Sequence, residues 1–378
     1  MAKKPSARTA KTDSELPRRY SSYNPKRSSK DPTLADVQAE PKSRRIFAKL
    51  LGWSLVTLLA ASILIVIWDA RNLSSASRNL FGTGNIFNLL NTQGAQTDSN
   101  GRLNILLVGY SIDDPGHPAA TLTDSIILLS MDRTTNSGYM LSIPRDLYVK
   151  IPGYGYAKIN EAYKDGGMPL LEQIVSDDFQ TQINYYALID YAAVKDTVNA
   201  LGGITVNINS SDPRGLFDPN ISPPDGGPLK LSNGPHKLDG QTALNLTRAR
   251  GDPCGCGQVA YGFAQSDFDR TQHQRQVLTA IKDKLNWKVV LIPWENQQIL
   301  NAVSSNVKTD IPAGAIRSVF GTFNSIPSSK LQSISLRDLN GNNYLSSYVT
   351  VYGQDALVPA AGLSDYSQID SAISSLNQ

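Results

Sequence analysis

One stretch constrains this chain more than any other. It is LLGWSLVTLLAASILIVIW, Leu50 to Trp68, 19 residues without a charge. As a helix it extends about 28 Å, at ~1.5 Å per residue, which matches the hydrocarbon core of a bilayer. Arg44, Arg45 and Lys49 precede it, and Asp69 and Arg71 follow. Positive charge concentrates on the cytoplasmic side of membrane helices. The pattern therefore predicts a transmembrane helix over 46–69, a single-pass signal-anchor with its N-terminus in the cytoplasm. A cleaved signal peptide is the rival reading, but its charged region is normally short and its apolar core shorter than this one. No second run in the 378 residues is long enough to span, so about 300 residues are expected on the far side of the membrane.

Charge divides at the same boundary. Residues 1–49 hold 13 Lys/Arg against 5 Asp/Glu, and the remainder holds 23 against 28. The basic excess belongs to a Lys-, Arg-, Ser- and Pro-rich tail over 1–45, read as disordered. The part that folds is acidic overall, which argues against a nucleic-acid partner. Residues 70–101 read as a polar, membrane-proximal spacer with a short helix. The two cysteines, Cys254 and Cys256 in DPCGCGQ, are too few for a disulfide framework. Alone they make a poor zinc site, so a local disulfide in a loop is expected.

From residue 102 to 376 the pattern alternates between apolar strand runs and helices. NILLVGY, SIILLSMD and YMLSIP read as buried strands. After them come a helix in PLLEQIVSD, a strand in YYALI, a helix capped by Asp190, and a strand in ITVNI. A short helix capped by Asp239 follows, then a longer one in FDRTQHQRQVLTAIKDKL, capped by Asp267 or Asp269. SISLRDL, YVTVY and DSAISSL close the chain as a second βα-like region. Such alternation predicts an α/β layered fold whose sheet is covered on both faces.

The chemistry-bearing residues cluster at strand ends. In LSIPRDLYVKIPGYGYAKINEAY, Pro144 stops a strand and Arg145 and Asp146 follow it; Lys158 and Asn160 come just after the next turn. Arg248-Ala249-Arg250, if extended, aims two guanidiniums the same way, and guanidinium forks match phosphate oxygens. Arg270 and Gln274 share a helical face. Their stripe runs on through Val277, Leu278, Ile281 and Leu285, which suits a cleft for a charged head with an apolar tail. Asp124 opens a strand, and Asp113 and Asp114 lie in the loop before it. Carboxylates at strand ends facing phosphates are how Mg²⁺ is commonly held. Each feature alone has a plainer reading: a surface ion pair, a turn, an amphipathic helix. The three histidines, His117, His236 and His273, have no metal-ligand spacing.

Together these segments resemble the LytR-CpsA-Psr family of membrane-anchored bacterial enzymes. The resemblance rests on Ser-Ile-Pro-Arg-Asp, Lys-Ile-Asn-x-Ala-Tyr, Arg-x-Arg and Arg-x-x-x-Gln in this order, and it is firm from about Leu103 to Leu285. It implies an α-β-α sandwich, a central mixed sheet flanked by helices on both faces. It also implies transfer of a glycopolymer phosphate from a polyprenyl-pyrophosphate carrier onto a peptidoglycan hydroxyl, with Mg²⁺ or Mn²⁺ as cofactor. By the same resemblance Arg145, Arg248, Arg250 and Arg270 hold the pyrophosphate, with Gln274 beside them, and Asp124 binds the metal. Asp146 orients Arg145 or acts as a base, and Lys158 and Asn160 shape the site. Two positions depart from the family's pattern. Ser111 stands where an Asp is usual, which makes Asp113 or Asp114 the substitute metal ligand, and Leu122 stands where an Arg is usual. A non-catalytic polyprenyl-phosphate-binding envelope protein and a lipid-carrier pyrophosphatase are the alternative functions.

Overall fold

The computed structural model describes residues 74–75, 78–79, 93–110, 122–221, 226–253, 255–285 and 297–377. The basic tail, the apolar run Leu50–Trp68, Asp113 and Asp114 lie outside them. Among the described residues no helix is long and apolar enough to cross a membrane. Residues 74–75 and 78–79 of the spacer are helical.

The strands are β1 (Arg102–Tyr110), β2 (Thr123–Asp132), β3 (Ser137–Ile143), β4 (Tyr148–Ile151), β5 (Gly155–Lys158), β6 (Tyr185–Asp190) and β7 (Ile204–Ile208). They continue with β8 (Leu216–Asp218), β9 (Leu229–Leu231), β10 (Gly234–Leu238), β11 (Val307–Thr309), β12 (Leu331–Ser335), β13 (Leu345–Val349) and β14 (Asp355–Pro359). The helices are α1 (Ala162–Asp178), α2 (Tyr191–Ala200), α3 (Gly240–Arg248), α4 (Asp267–Lys284), α5 (Gln297–Asn306), α6 (Ile316–Ser325) and α7 (Ser367–Leu376).

Six strands form one mixed sheet in the order β11-β6-β1-β2-β3-β12. Side chains alternate between its faces. Leu106 and Val108 of β1, with Ile126 and Leu128 of β2, pack against Leu171, Ile174 and Val175 of α1 and Ile369 and Ile373 of α7. Leu103, Ile105, Ile127 and Leu129 point the other way, towards Val319 of α6. Burial on both faces is why these strands are almost continuously apolar. A third cluster joins α2, β7, α3 and α4 through Val198, Val206, Leu246 and Val277. The expected closing βα-like region has a different form. After β12 joins the sheet edge beside β3, β13 and β14 make an antiparallel hairpin of their own before α7.

Strand direction sets the site. β1 is parallel to β6, β3 is parallel to β12, and β2 runs antiparallel to both β1 and β3. The C-terminal ends of β1, β3, β6 and β12 therefore share one edge with the start of β2. In open α/β sheets ligands bind outside that edge.

Candidate active site

Asp124 sits at the head of β2, beside a register shift at Gly109/Tyr110. Its Oδ1 accepts a hydrogen bond from Arg145 Nη1 at 2.9 Å. Its Oδ2 accepts one from the Tyr191 hydroxyl at 3.0 Å. Arg145 arrives from the end of β3, where Pro144 removes a backbone donor and ends the pairing. Tyr191 opens α2 at the end of β6, and the side chain of Asp190 caps that helix by accepting from Ala193 N at 2.8 Å. Burial pushes the Asp124 carboxyl up. Arg270, Arg145, the Tyr191 hydrogen bond and Arg250 outweigh it and hold the group below its ordinary value. Burial and the charge of Asp124 raise the Tyr191 hydroxyl to about 12. Asp124 is thus an anion and Tyr191 a neutral donor at physiological pH.

A second carboxylate, Asp267, gathers three of the guanidiniums. Its Oδ1 lies 2.8 Å from Arg270, 3.4 Å from Arg250 and 3.8 Å from Arg145. The sequence reading assigned Asp267 or Asp269 to capping α4. The structure corrects this: Ser266 is the N-cap residue, and it makes no side-chain capping bond. Asp269 accepts from Gln265 N at 2.6 Å, and Asp267 turns to the arginines because their field is the stronger attraction. Its signal in the sequence was its i,i+3 spacing from Arg270 on one helical face. Tyr191 had no such signal; only the parallel pairing of β1 and β6 brings it to Asp124.

Arg248 ends α3, and its guanidinium lies 5.2 Å from the centre of the Tyr191 ring. Ala249 is extended and fully buried. Arg250 is pinned by its backbone N–H, which donates to Asp218 Oδ2 at 2.8 Å. The expected pair of guanidiniums therefore does reach one site, Arg248 through Tyr191 and Arg250 through Asp267. Arg270 is 2 % exposed, and burial pulls its guanidinium down from the ordinary value. Several buried polar atoms here lack an aligned hydrogen bond: Arg145 Nε, Arg270 Nε and Nη2, Asp267 Oδ1 and Asn160 Oδ1. Such atoms are uncommon in folded proteins and mark places where a ligand can complete the bonding.

The remaining expected residues divide into supports and a brace. Lys158 Nζ donates to Asp146 Oδ1 at 2.8 Å, and Asp146 Oδ2 lies 3.7 Å from Arg145 Nε. The loop carrying Arg145 and Asp146 is fixed by its backbone as well. Asn160 N donates to Arg145 O at 3.3 Å, and Leu357 N donates to Asp146 O at 3.0 Å. Gln274 uses both ends of its amide inside the protein. Oε1 accepts from Ser125 Oγ at 2.8 Å, and Nε2 donates to Thr247 O at 3.1 Å. It holds α4 against the start of β2 and the end of α3. The apolar strip continues beyond it. Val277 and Ile281 pack on the third cluster and Leu278 on the sheet, because α4 crosses between two cores and each takes one side of the strip.

A hard cation such as Mg²⁺ or Mn²⁺ takes carboxylate oxygens, and Asp124 offers two, which Arg145 and the Tyr191 hydroxyl engage here. Asn160 Oδ1, buried without a hydrogen-bond partner, is a neutral oxygen of the same kind. Among the described residues no group of three His, Cys, Asp or Glu could hold a metal, and the two carboxylates expected to join Asp124 lie outside those residues. Cys256 is disulfide-bonded, as expected for the Cys-x-Cys loop.

This edge, where four guanidiniums gather with the carboxylates of Asp124, Asp146 and Asp267, is the setting for comparison with known proteins. Residues 67–358 match the model of the LytR_cpsA_psr family, and the chain belongs to that family. It is 30% identical over 272 residues to the polyisoprenyl-teichoic acid–peptidoglycan teichoic acid transferase TagU of Enterococcus faecalis, covering 71% of this chain and 80% of that one. It is 31% identical over 222 residues to the corresponding transferase TagT of Bacillus subtilis, 59% of this chain and 62% of that one. Among solved structures, TagT bound to LIIa-WTA superposes with a TM-score of 0.55 at 25% identity, over 74% of this chain and 93% of that one. The mixed sheet with its helices is thus the fold of this family, and the chain is similar to proteins named as glycopolymer transferases.

Proposed function

We propose that this chain moves a glycopolymer phosphate from a polyprenyl-pyrophosphate carrier onto a peptidoglycan hydroxyl. One observation carries the reading: Arg145, Arg248, Arg250 and Arg270, with Lys158 beside them, gather around three carboxylates, Asp124, Asp146 and Asp267. The surplus positive charge suits a pyrophosphate, whose oxygens take guanidinium forks. The names of the relatives, polyisoprenyl-teichoic acid–peptidoglycan transferases, support both donor and acceptor.

In this reading the acceptor oxygen attacks the glycan-side phosphorus. The bond from that phosphorus to the bridging oxygen breaks, and polyprenyl phosphate leaves. The guanidiniums neutralise the charge that grows on the bridging and leaving oxygens. Asp124 and Asp267 hold the arginines at the right spacing before the donor arrives. Asp146 keeps Arg145 and Lys158 in place, and its carboxylate would take the hydroxyl proton. Asn160 shapes the floor through its backbone, and Gln274 braces α4. A Mg²⁺ or Mn²⁺ held by Asp124, with Asp113 or Asp114, would supply further charge neutralisation at the phosphate oxygens. The apolar run Leu50–Trp68 would anchor the chain, cytoplasmic tail inside and catalytic domain outside, beside its lipid donor.

The test is a transfer assay on the full chain in detergent. It uses a polyprenyl-pyrophosphate oligosaccharide, peptidoglycan fragments and Mg²⁺, read by mass spectrometry. A glycan-phosphate adduct that disappears in Arg248→Ala and with chelator is the expected result. Donor cleaved without acceptor would make the protein a lipid-carrier pyrophosphatase. Donor bound but unchanged would make it a non-catalytic polyprenyl-phosphate-binding protein.

A further inference from the structure

α4 carries a second functional stripe, one residue around the helix from the first. Asp267, Arg270 and Gln274 face the arginine cluster. Phe268, Gln272, Arg275 and Gln276 line a separate cavity of about 490 Å³ against the segment that follows β12. Its size is that of a small-ligand pocket. The other wall includes Arg337, Asp338 and Asn343.

Arg275 is the unusual member. It is 5 % exposed, and burial alone lowers its guanidinium to about 10. Its Nε donates to Ser333 Oγ at 2.6 Å and its Nη1 donates to Ser142 Oγ. Both partners are neutral, and among the described residues no carboxylate offsets the charge. A buried cation with only neutral partners is costly unless an anion completes it. Arg337 adds a second guanidinium at the rim, 4.9 Å from the centre of the Phe268 ring. Against these two charges the lining sets one carboxylate, Asp338. Beside Ser333, Ile334 and Ser335, the rest is amide and aromatic, including Gln272, Asn343, Phe268, and Gln276, whose Oε1 is buried without a hydrogen-bond partner. Amides bond hydroxyls in both directions, and a ring face covers the apolar side of a sugar.

From this set we propose that the cavity is a second subsite, for an anionic saccharide, with Arg275 and Arg337 taking the carboxylate or phosphate and the amides taking hydroxyls. It lies one helix face away from the arginine cluster, so a glycan can occupy it while the pyrophosphate site is filled. The anion can come from the peptidoglycan acceptor or from the glycan chain of the donor. The choice of these two probes rests on the transferase reading; the site itself rests on the pocket's charge and lining.

Binding to the full chain in detergent tests it, by isothermal titration with two probes free of lipid. One is a peptidoglycan disaccharide carrying its peptide, and the other is a phosphate-linked oligosaccharide. At least one probe should bind, with affinity falling about tenfold in Arg337→Ala. Gln272→Ala, also at an exposed position, should weaken binding less, and Arg275→Met should abolish it. Selective binding of the first probe assigns the subsite to the acceptor, and of the second to the donor glycan. No binding of either probe, or binding that Arg337→Ala and Gln272→Ala leave unchanged, overturns the proposal. Because the readout is binding, a failure here leaves the transfer assay free to succeed or fail on its own.

Discussion

Asp124 at the arginine edge and two carboxyl groups on α1 are the same chemical group in opposite states. Asp124 is buried, yet it is held below its ordinary value because Arg270 and Arg145 outweigh the loss of water. Among the described residues, Glu172 and Asp178, on α1, have no cation beside them. Burial, with Asp310 nearby, raises Glu172 to about 7. Burial, opposed by a Tyr191-like contact from Tyr366 and reinforced by Asp177 and Asp370, raises Asp178 to about 6. Burial alone therefore does not decide whether a carboxylate stays charged; the neighbouring guanidiniums do. Asp124 stays an anion at working pH, and the two carboxyl groups on α1 titrate close to it.

The strongest test of this contrast removes a guanidinium. Arg270→Ala leaves Asp267 and Asp124 without their most buried partner. Stability should fall by about 3–5 kcal/mol, as when one partner of a buried pair is lost, and transfer should be abolished; denaturant titration and the mass-spectrometric assay read these. Asp124→Asn removes the charge but keeps the shape. Transfer should drop about 100-fold while the fold survives, in line with the loss of one electrostatic group at a reacting centre.

The pH dependence of stability sharpens the same contrast. The unfolded chain releases the Glu172 proton near 4.5, whereas the fold keeps it to about 7. Its contribution is full below 4.5 and is lost as pH rises to 7. Asp178 acts likewise between 3.8 and about 6. Asp124 has the reverse sign: its contribution is present above 3.8 and is lost only as pH falls through its lowered value. Glu172→Gln should therefore flatten the melting-temperature profile between pH 4.5 and 7 and leave the acid limb intact. The smallest effect is expected at the half-exposed pair of Lys158 and Asp146. Lys158→Ala should cost below about 1 kcal/mol in stability, with a few-fold loss in transfer as Arg145 loosens.

Much of this was legible in the chain. The strand runs show because burial on both faces makes them apolar throughout, and Asp190 and Asp239 do cap the helices predicted for them. The arginines were visible because their motifs are local. Tyr191 was not, since its place depends on which strands lie side by side, and of the hub at Asp267 only the spacing from Arg270 was local. Nothing local in the sequence says that β6 pairs with β1 or that β12 pairs with β3. The apolar strip on α4 shows the same limit: a stripe records that a face is covered, not what covers it.

The edge that holds Asp124, Arg145 and Tyr191 closes through a distant pairing, Tyr110 with Asp190 across β1 and β6. Contacts of such sequence separation form late, after a large loss of chain entropy. No single strand or helix of this chain carries the whole arginine cluster, so it does not exist before these strands pair. The cluster is thus its own checkpoint: a molecule that has it is one whose β1 and β6 have already met.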